Sequence, residues 1–140
     1  MFYRIKVLEG TEEYLNLTPT KNGDVGYDVK SAEDTVIPSK SFGVVVSYAR
    51  IQMPKGIHAT MRGRSGLASK GIFAHNGTID TGYTGHLGVI LINMGDKDFY
   101  IQKGQRIGQI VFDTEVPVEF EIVKLFEETE RNTSGFGSTG

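Results

Sequence analysis

The sequence contains no cysteine and no tryptophan, only 4 prolines, and no apolar run longer than a few residues. Without cysteine there is no disulfide scaffold, no zinc ribbon and no thiol nucleophile. A chain of that kind is expected in the cytoplasm, with the nucleus as the alternative for a eukaryotic or viral source. The short apolar runs exclude a membrane-spanning helix, and the opening residues MFYRIKVLEG lack the basic-then-apolar order of a secretion signal. An excess of charge of one sign is also missing: 15 Lys and Arg stand against 17 Asp and Glu, a net charge of −2. A chain so balanced has no general affinity for polyanions, so neither nucleic acid nor membrane is expected as a partner. Any nucleotide must be held by a local pocket.

What the chain has in excess is glycine, 18 of 140 residues, close to double the ~7% of an average protein. Glycine is costly inside helices and strands, so this many must sit where the backbone turns sharply or touches something closely. The length suits one domain with a real core. Short β-branched and aromatic runs recur between Gly, Pro, Asn, Asp and Lys: Phe2–Leu8, Thr35–Ile37, Gly43–Ile51, Ile57–Arg62, Leu87–Asn93, Phe99–Ile101, Arg106–Phe112 and Pro117–Lys124. No window of twelve or more residues sustains a helical period, and Ser65–Lys70 is the best short helix. The expected fold is therefore all-β, a single-domain distorted β-barrel or jelly roll of short strands with one short helix. The domain is expected to span residues 1–126. Residues 127–140, EETERNTSGFGSTG, have almost nothing to bury and are expected to form a flexible C-terminal arm. The lone Phe136 between glycines is out of place in a frayed end.

Five stretches could carry chemistry. Gly135–Gly140 spells G-x-G-x-x-G, but no helix follows it, which removes the dinucleotide-fold reading. Its backbone N–H groups and two hydroxyls could still wrap an anion, with Arg131 adding a bidentate contact. In Gly63-Arg64-Ser65-Gly66-Leu67-Ala68 the serine either caps a short helix or joins Arg64 in holding an anion. Gly77–Gly88 reads as two strands joined by a glycine-rich hairpin, with Asp80 and Tyr83 at its bend. Asp80 could equally be a structural turn residue and Tyr83 a half-buried strand aromatic. In Lys103–Gln109 a bulge at Gly108 would let Arg106 and Gln109 share a face. Asp24–Val29 is a turn leading into a strand. The three histidines, His58, His75 and His86, show no metal-ligand spacing.

The order of these stretches is more telling than any one of them. Gly26–Asp28 (GYD), Arg64–Ala68 (RSGLA), Gly77–Gly88 (G-x-I-D-x-x-Y-x-G and onward), Lys103–Gln109 (KGQRIGQ) and Arg131–Gly140 (R-x-x-x-G-F-G-S-T-G) follow one another along nearly the whole chain. In that order they resemble the five motifs of the trimeric all-β dUTP diphosphatases, the dUTPases. Eleven of the eighteen glycines fall within them, and a twelfth, Gly63, immediately precedes the second.

The resemblance implies hydrolysis of dUTP to dUMP and pyrophosphate with Mg2+, which limits uracil in DNA and supplies dUMP for thymidylate synthesis. It implies a homotrimer with shared sites, in which motifs one, two and four come from one subunit, the third from another and the tail from a third. Asp80 would orient and deprotonate the attacking water, work suited to a carboxylate within reach of it. Tyr83 would pack on the deoxyribose, leaving no room for a 2′-hydroxyl. The backbone of Gly77, Thr78, Ile79 and Gly88 would pair with the uracil edge. Ser65, Gly66 and Gln109 would hold phosphate oxygens. Arg64 and Arg106 would tie the motifs together through carboxylates such as Asp28, with phosphate contact second. Phe136 would stack on uracil and Arg131 would reach the γ-phosphate, while Gly137, Ser138 and Thr139 closed over the site. Mg2+ would ride on the triphosphate and its waters, with no protein ligand of its own.

The sequence departs from the pattern in three places. Gly82 and Thr84 stand where the third motif commonly has a second Asp and an Arg, Asn132 and Ser134 replace glycines of the fifth, and Asp24-Val25 replaces a pair of alanines. The nearest rival resemblance is to the dCTP deaminases, which Gly82 suits. Their catalytic Glu, however, falls ten residues after the shared Asp, at Ile90 here, and an apolar side chain cannot shuttle protons. A dUTP-responsive binding or signalling protein on the same scaffold is the other alternative.

Overall fold

The alternation in Ile57–Arg62 becomes a strand with two distinct faces: Ile57, Ala59 and Met61 are buried, while His58, Thr60 and Arg62 turn outward. This pattern organises the whole molecule. The computed structural model describes residues 2–19 and 21–137. The strands among them are β1 (Lys6–Val7), β2 (Tyr27–Lys30), β3 (Thr35–Ile37), β4 (Ser41–Val46), β5 (Ile51–Gln52), β6 (Ile57–Arg62), β7 (Ile72–Ala74), β8 (Gly77–Ile79), β9 (Gly88–Asn93), β10 (Phe99–Ile101) and β11 (Arg106–Thr114). The one α-helix among the described residues, α1, is a single turn, Ser65–Ala68. No helix is long and apolar enough to cross a membrane.

All pairings are antiparallel. One sheet has the order β2-β11-β6-β8, a second β4-β9-β7, and two ribbons, β1-β5 and β3-β10, complete a distorted jelly roll without a closed barrel. Both sheets feed one core, in which Val29, Ile37, Val45, Ala59, Met61, Leu91, Ile101, Ile107 and Ile110 are buried. Each such aliphatic contributes roughly 1.5–3 kcal/mol by leaving water, so β6 and β11, central in their sheet, are rigid supports for whatever lies on their outer face.

Three expectations are corrected. The run Gly43–Ile51 is two strands rather than one, because Tyr48 adopts a left-handed backbone (φ 63) that no ladder can continue. The glycine-rich stretch between β8 and β9 is not a β-hairpin. β8 pairs with β6 and β9 with β4 and β7, so residues 80–87 cross from one sheet to the other. Finally, Pro117–Lys124 forms no strand. Its period-two pattern is present, but the described chain offers it no ladder partner, and Val116, Val118, Phe120 and Ile122 are all exposed.

Candidate active site

Most of the predicted site residues outside the tail are gathered into two clefts, while Arg106 lines neither. The larger, of about 550 Å³, lies over β2, β11 and the end of β6 and includes Gly26, Asp28, Arg62, Arg64, Ser65, Gly66 and Gln109 in its lining. Its floor follows from strand register. Gln109 on β11 stands directly opposite Asp28 on one side and Arg62 on the other, so the three side chains form one row across three strands. The register of β11 on β2 shifts between Arg106 and Gly108. That bulge lets Arg106 reach Asp28 while Gln109 faces the cleft. Gly26 keeps this arrangement open, since a Cβ there would collide with the Gln109 amide. Gln109 Nε2 in turn donates to the Gly63 carbonyl at 3.0 Å.

Asp28 is the electrostatic hub of this cleft. Arg64 Nε lies 3.3 Å from its Oδ1 and Arg106 Nη1 lies 3.5 Å from its Oδ2. The carboxylate is 11% exposed and the guanidinium groups are 32% and 42% exposed, so solvent screens the cationic side. One buried negative charge thus fixes two forks, of which Arg64 lines the anion-sized cleft while Arg106 braces Asp28 from outside that lining. Asp28→Asn is expected to lower stability by about 1–3 kcal/mol, the penalty for two half-exposed cations left without their partner. A thermal melt checks it. Arg64, not Ser65, occupies the N-cap position of α1, so the serine hydroxyl is not used as a cap.

The second cleft, of about 230 Å³, is lined by Met61, Gly77, Thr78, Ile79, Asp80, Tyr83, His86, Leu87 and Gly88. Here β8 is the edge of its sheet. One side of its backbone pairs with β6, and the N–H and C=O groups of the other side remain for a ligand. Asp80 and Tyr83 follow directly, joined by a Tyr83 N–H to Asp80 carbonyl bond of 3.0 Å. The Tyr83 ring folds back over Gly85, where a Cβ would come within 2.5 Å of the phenol oxygen. Its hydroxyl donates to the His86 carbonyl at 2.8 Å. Thr81 ties the loop to the start of β6 and the end of β11, its Oγ1 bonding the Ile57 carbonyl at 2.8 Å and the Glu115 carboxylate. Behind the loop, the Tyr48 ring stacks at an angle on His86, with centroids 5.0 Å apart. A hydrogen bond from the Tyr48 hydroxyl to Glu33 holds that phenol above its ordinary pKa, desolvation and the carboxylate's charge adding to it.

The two clefts open on opposite faces of β6: Arg62 lines the first and Met61, the adjacent residue, lines the second. The described residues of the tail line neither. The hydrogen bonds of Thr129, Arg131, Asn132 and Ser134 run among themselves, and Phe136 is fully exposed. Ser138 and Thr139 lie outside the described residues. Sequence reasoning missed Arg62 and Lys21, which line the larger cleft. The outward alternation of β6, extended one residue past Met61, was the available signal for Arg62.

A family model described as dUTPase matches residues 13–140. The deoxyuridine 5′-triphosphate nucleotidohydrolase of Clostridium tetani is 43% identical over 122 residues, covering 85% of this chain and 84% of that protein. The protein of the same name from Clostridioides difficile is 36% identical, with 99% of each chain covered. Among solved structures, the dUTPase of Staphylococcus bacteriophage 80alpha, a G164S mutant with dUpNHpp, superposes with a TM-score of 0.87 at 26% identity, covering 98% of each chain. The order of motifs, the two clefts they build and this full-length likeness converge on one assignment: the chain belongs to the dUTPase family.

Proposed function

We propose that this chain hydrolyses dUTP to dUMP and pyrophosphate by attack of a water on the α-phosphorus, as a homotrimer whose sites are shared between copies. The observation that carries the reading is the free edge of β8 beside Asp80 and Tyr83. An unpaired strand edge offers alternating donors and acceptors, which can match the hydrogen-bonding edge of uracil much as a complementary base does. Cytosine would set a donor where the edge expects an acceptor, leaving buried groups unpaired. Tyr83 covers the deoxyribose and Asp80 activates water. The triphosphate is held by Ser65, Gly66 and Gln109, over the Arg64 and Arg106 forks anchored on Asp28.

Since the two clefts of one chain face opposite sides of β6, a nucleotide read by one cleft extends its phosphates into the other cleft of a neighbouring copy. The surface supports such neighbours. Phe42, Val44, Phe73, Ile90 and Ile92 are exposed on the outer face of β4-β9-β7, where Phe42 and Phe73 both stand opposite Ile92. The alternating apolar arm from Val116 to Ile122 is uncovered as well. Apolar surface of that extent belongs against another chain. Phe136, Arg131 and Gly137, with Ser138 and Thr139, then close over a site from a third copy.

Among the described residues no three His, Asp or Glu gather as a metal cage. That donor set fits a Mg2+ held by phosphate oxygens and waters, with the Asp80 carboxylate available to a bound water. Mg2+ would supply charge neutralisation along the triphosphate. The chain acts in the cytoplasm or nucleus, limiting uracil in DNA and supplying dUMP. Deamination of dCTP is disfavoured by position as well as by chemistry: Ile90 lines a different cleft with Phe42, away from Asp80. The test is pyrophosphate release from dUTP, dCTP, dTTP and UTP. Release from dUTP alone is expected, and ammonia from dCTP would reject the reading.

A further inference from the structure

The 80–87 loop carries Asp80 and Tyr83, yet at Gly82 and Thr84 it has no charged side chain with which to brace itself. The segment 47–50 braces it instead. The Ser47 N–H donates to the Leu87 carbonyl at 2.9 Å, and the Leu87 N–H donates to the Ala49 carbonyl at 2.8 Å. Two residues past the left-handed Tyr48, Arg50 Nε donates to the Thr84 carbonyl at 2.8 Å. Arg50 is itself fixed at both backbone ends. Its N–H donates to Thr11 Oγ1 at 3.2 Å and its carbonyl accepts from Leu8 N–H at 3.0 Å.

The consequence falls on Tyr83. Its loop is tied at Thr84, one residue on, by Arg50, and at His86 by the Tyr83 hydroxyl and the Tyr48 ring. Tyr48 combines a left-handed backbone with a ring set against His86, and such strain persists only where the surroundings over-determine it. We infer that Arg50 is a positioning residue that sets the sugar selectivity of the site, by pinning the Thr84 carbonyl and so fixing the Tyr83 ring over the sugar. The inference rests on the reading of Tyr83 as the deoxyribose contact. Excluding one hydroxyl is a steric matter of a fraction of an ångström, so a ring held only by its own loop would admit it.

The experiment compares kcat/KM for dUTP and for UTP in wild type, Arg50→Ala, Arg50→Met and Tyr83→Ala. Melting temperature is measured alongside. The dUTP-to-UTP ratio is expected to fall about tenfold in Arg50→Ala, within the range a small steric difference can discriminate. Arg50→Met, which keeps the length of the side chain but has no N–H to donate to the Thr84 carbonyl, is expected to fall alike and serves where the alanine variant does not fold. A ratio unchanged in both Arg50 variants while Tyr83→Ala relaxes it overturns the inference, even if overall activity drops. A ratio unchanged in Tyr83→Ala overturns the underlying reading of Tyr83 as the sugar contact.

Discussion

Asp80→Asn is expected to slow dUTP hydrolysis by about 10²- to 10⁴-fold, the usual worth of a positioned general base, with dUTP binding retained. The substitution keeps size and hydrogen-bonding reach but removes the group proposed to take the proton from water. Asp80 sits after an edge strand, at the start of a loop held by Thr81, Arg50 and the Tyr83 hydroxyl. None of those bonds uses the Asp80 carboxylate, so its loss leaves the loop in place. In the proposed function binding draws on the β8 edge, the Tyr83 ring and the cleft of Asp28 and Arg64, all untouched. Single-turnover rates and dUTP affinity measured on the same preparation separate the two effects. Unchanged turnover in Asp80→Asn would remove the carboxylate from the mechanism.

The site was more legible in the sequence than the path of the chain around it. Short motifs carry their meaning locally. GYD, RSGLA and KGQRIGQ each place a charged or polar group beside a glycine, and the fold needs only to bring three strands side by side to assemble them. The bulge that lets Arg106 reach Asp28 was foreshadowed by Gly108, because a glycine inside a β run has few other uses. The loop between β8 and β9 was misread for a physical reason. A glycine-rich segment between two β runs has the same local signature whether the strands pair with each other or, as here, belong to different sheets. Residues 117–124 show the converse limit: alternation specifies a strand's faces but not its partner, and the described residues supply none. Tyr48 and Arg50 were invisible because nothing in a sequence marks an aromatic residue that will accept a left-handed backbone.

Removal of residues 131–140 is expected to lower kcat/KM for dUTP by about 10²- to 10⁴-fold while leaving the melting temperature within about a degree. The upper range combines a base stacked on Phe136, worth ~1–3 kcal/mol, with a charge-assisted phosphate contact from Arg131, worth ~1.5–3 kcal/mol. Stability should not follow, because Phe136 packs against nothing in the described chain and the bonds of Arg131 and Ser134 are to each other. The base of the tail is already shaped for its task. Reciprocal bonds join Thr129 and Asn132, and Asn132 takes a left-handed turn (φ 45) that asparagine tolerates better than most residues. Ordering the tail over a nucleotide therefore starts from a turn that is set, and the entropy lost on closure is confined to the residues beyond it. Phe136→Ala alone should account for about 5- to 150-fold of the loss, mainly in KM if stacking acts on the bound substrate, and mainly in kcat if it completes a closed site that excludes water. Full turnover in the truncated chain would show that the two clefts suffice without the tail.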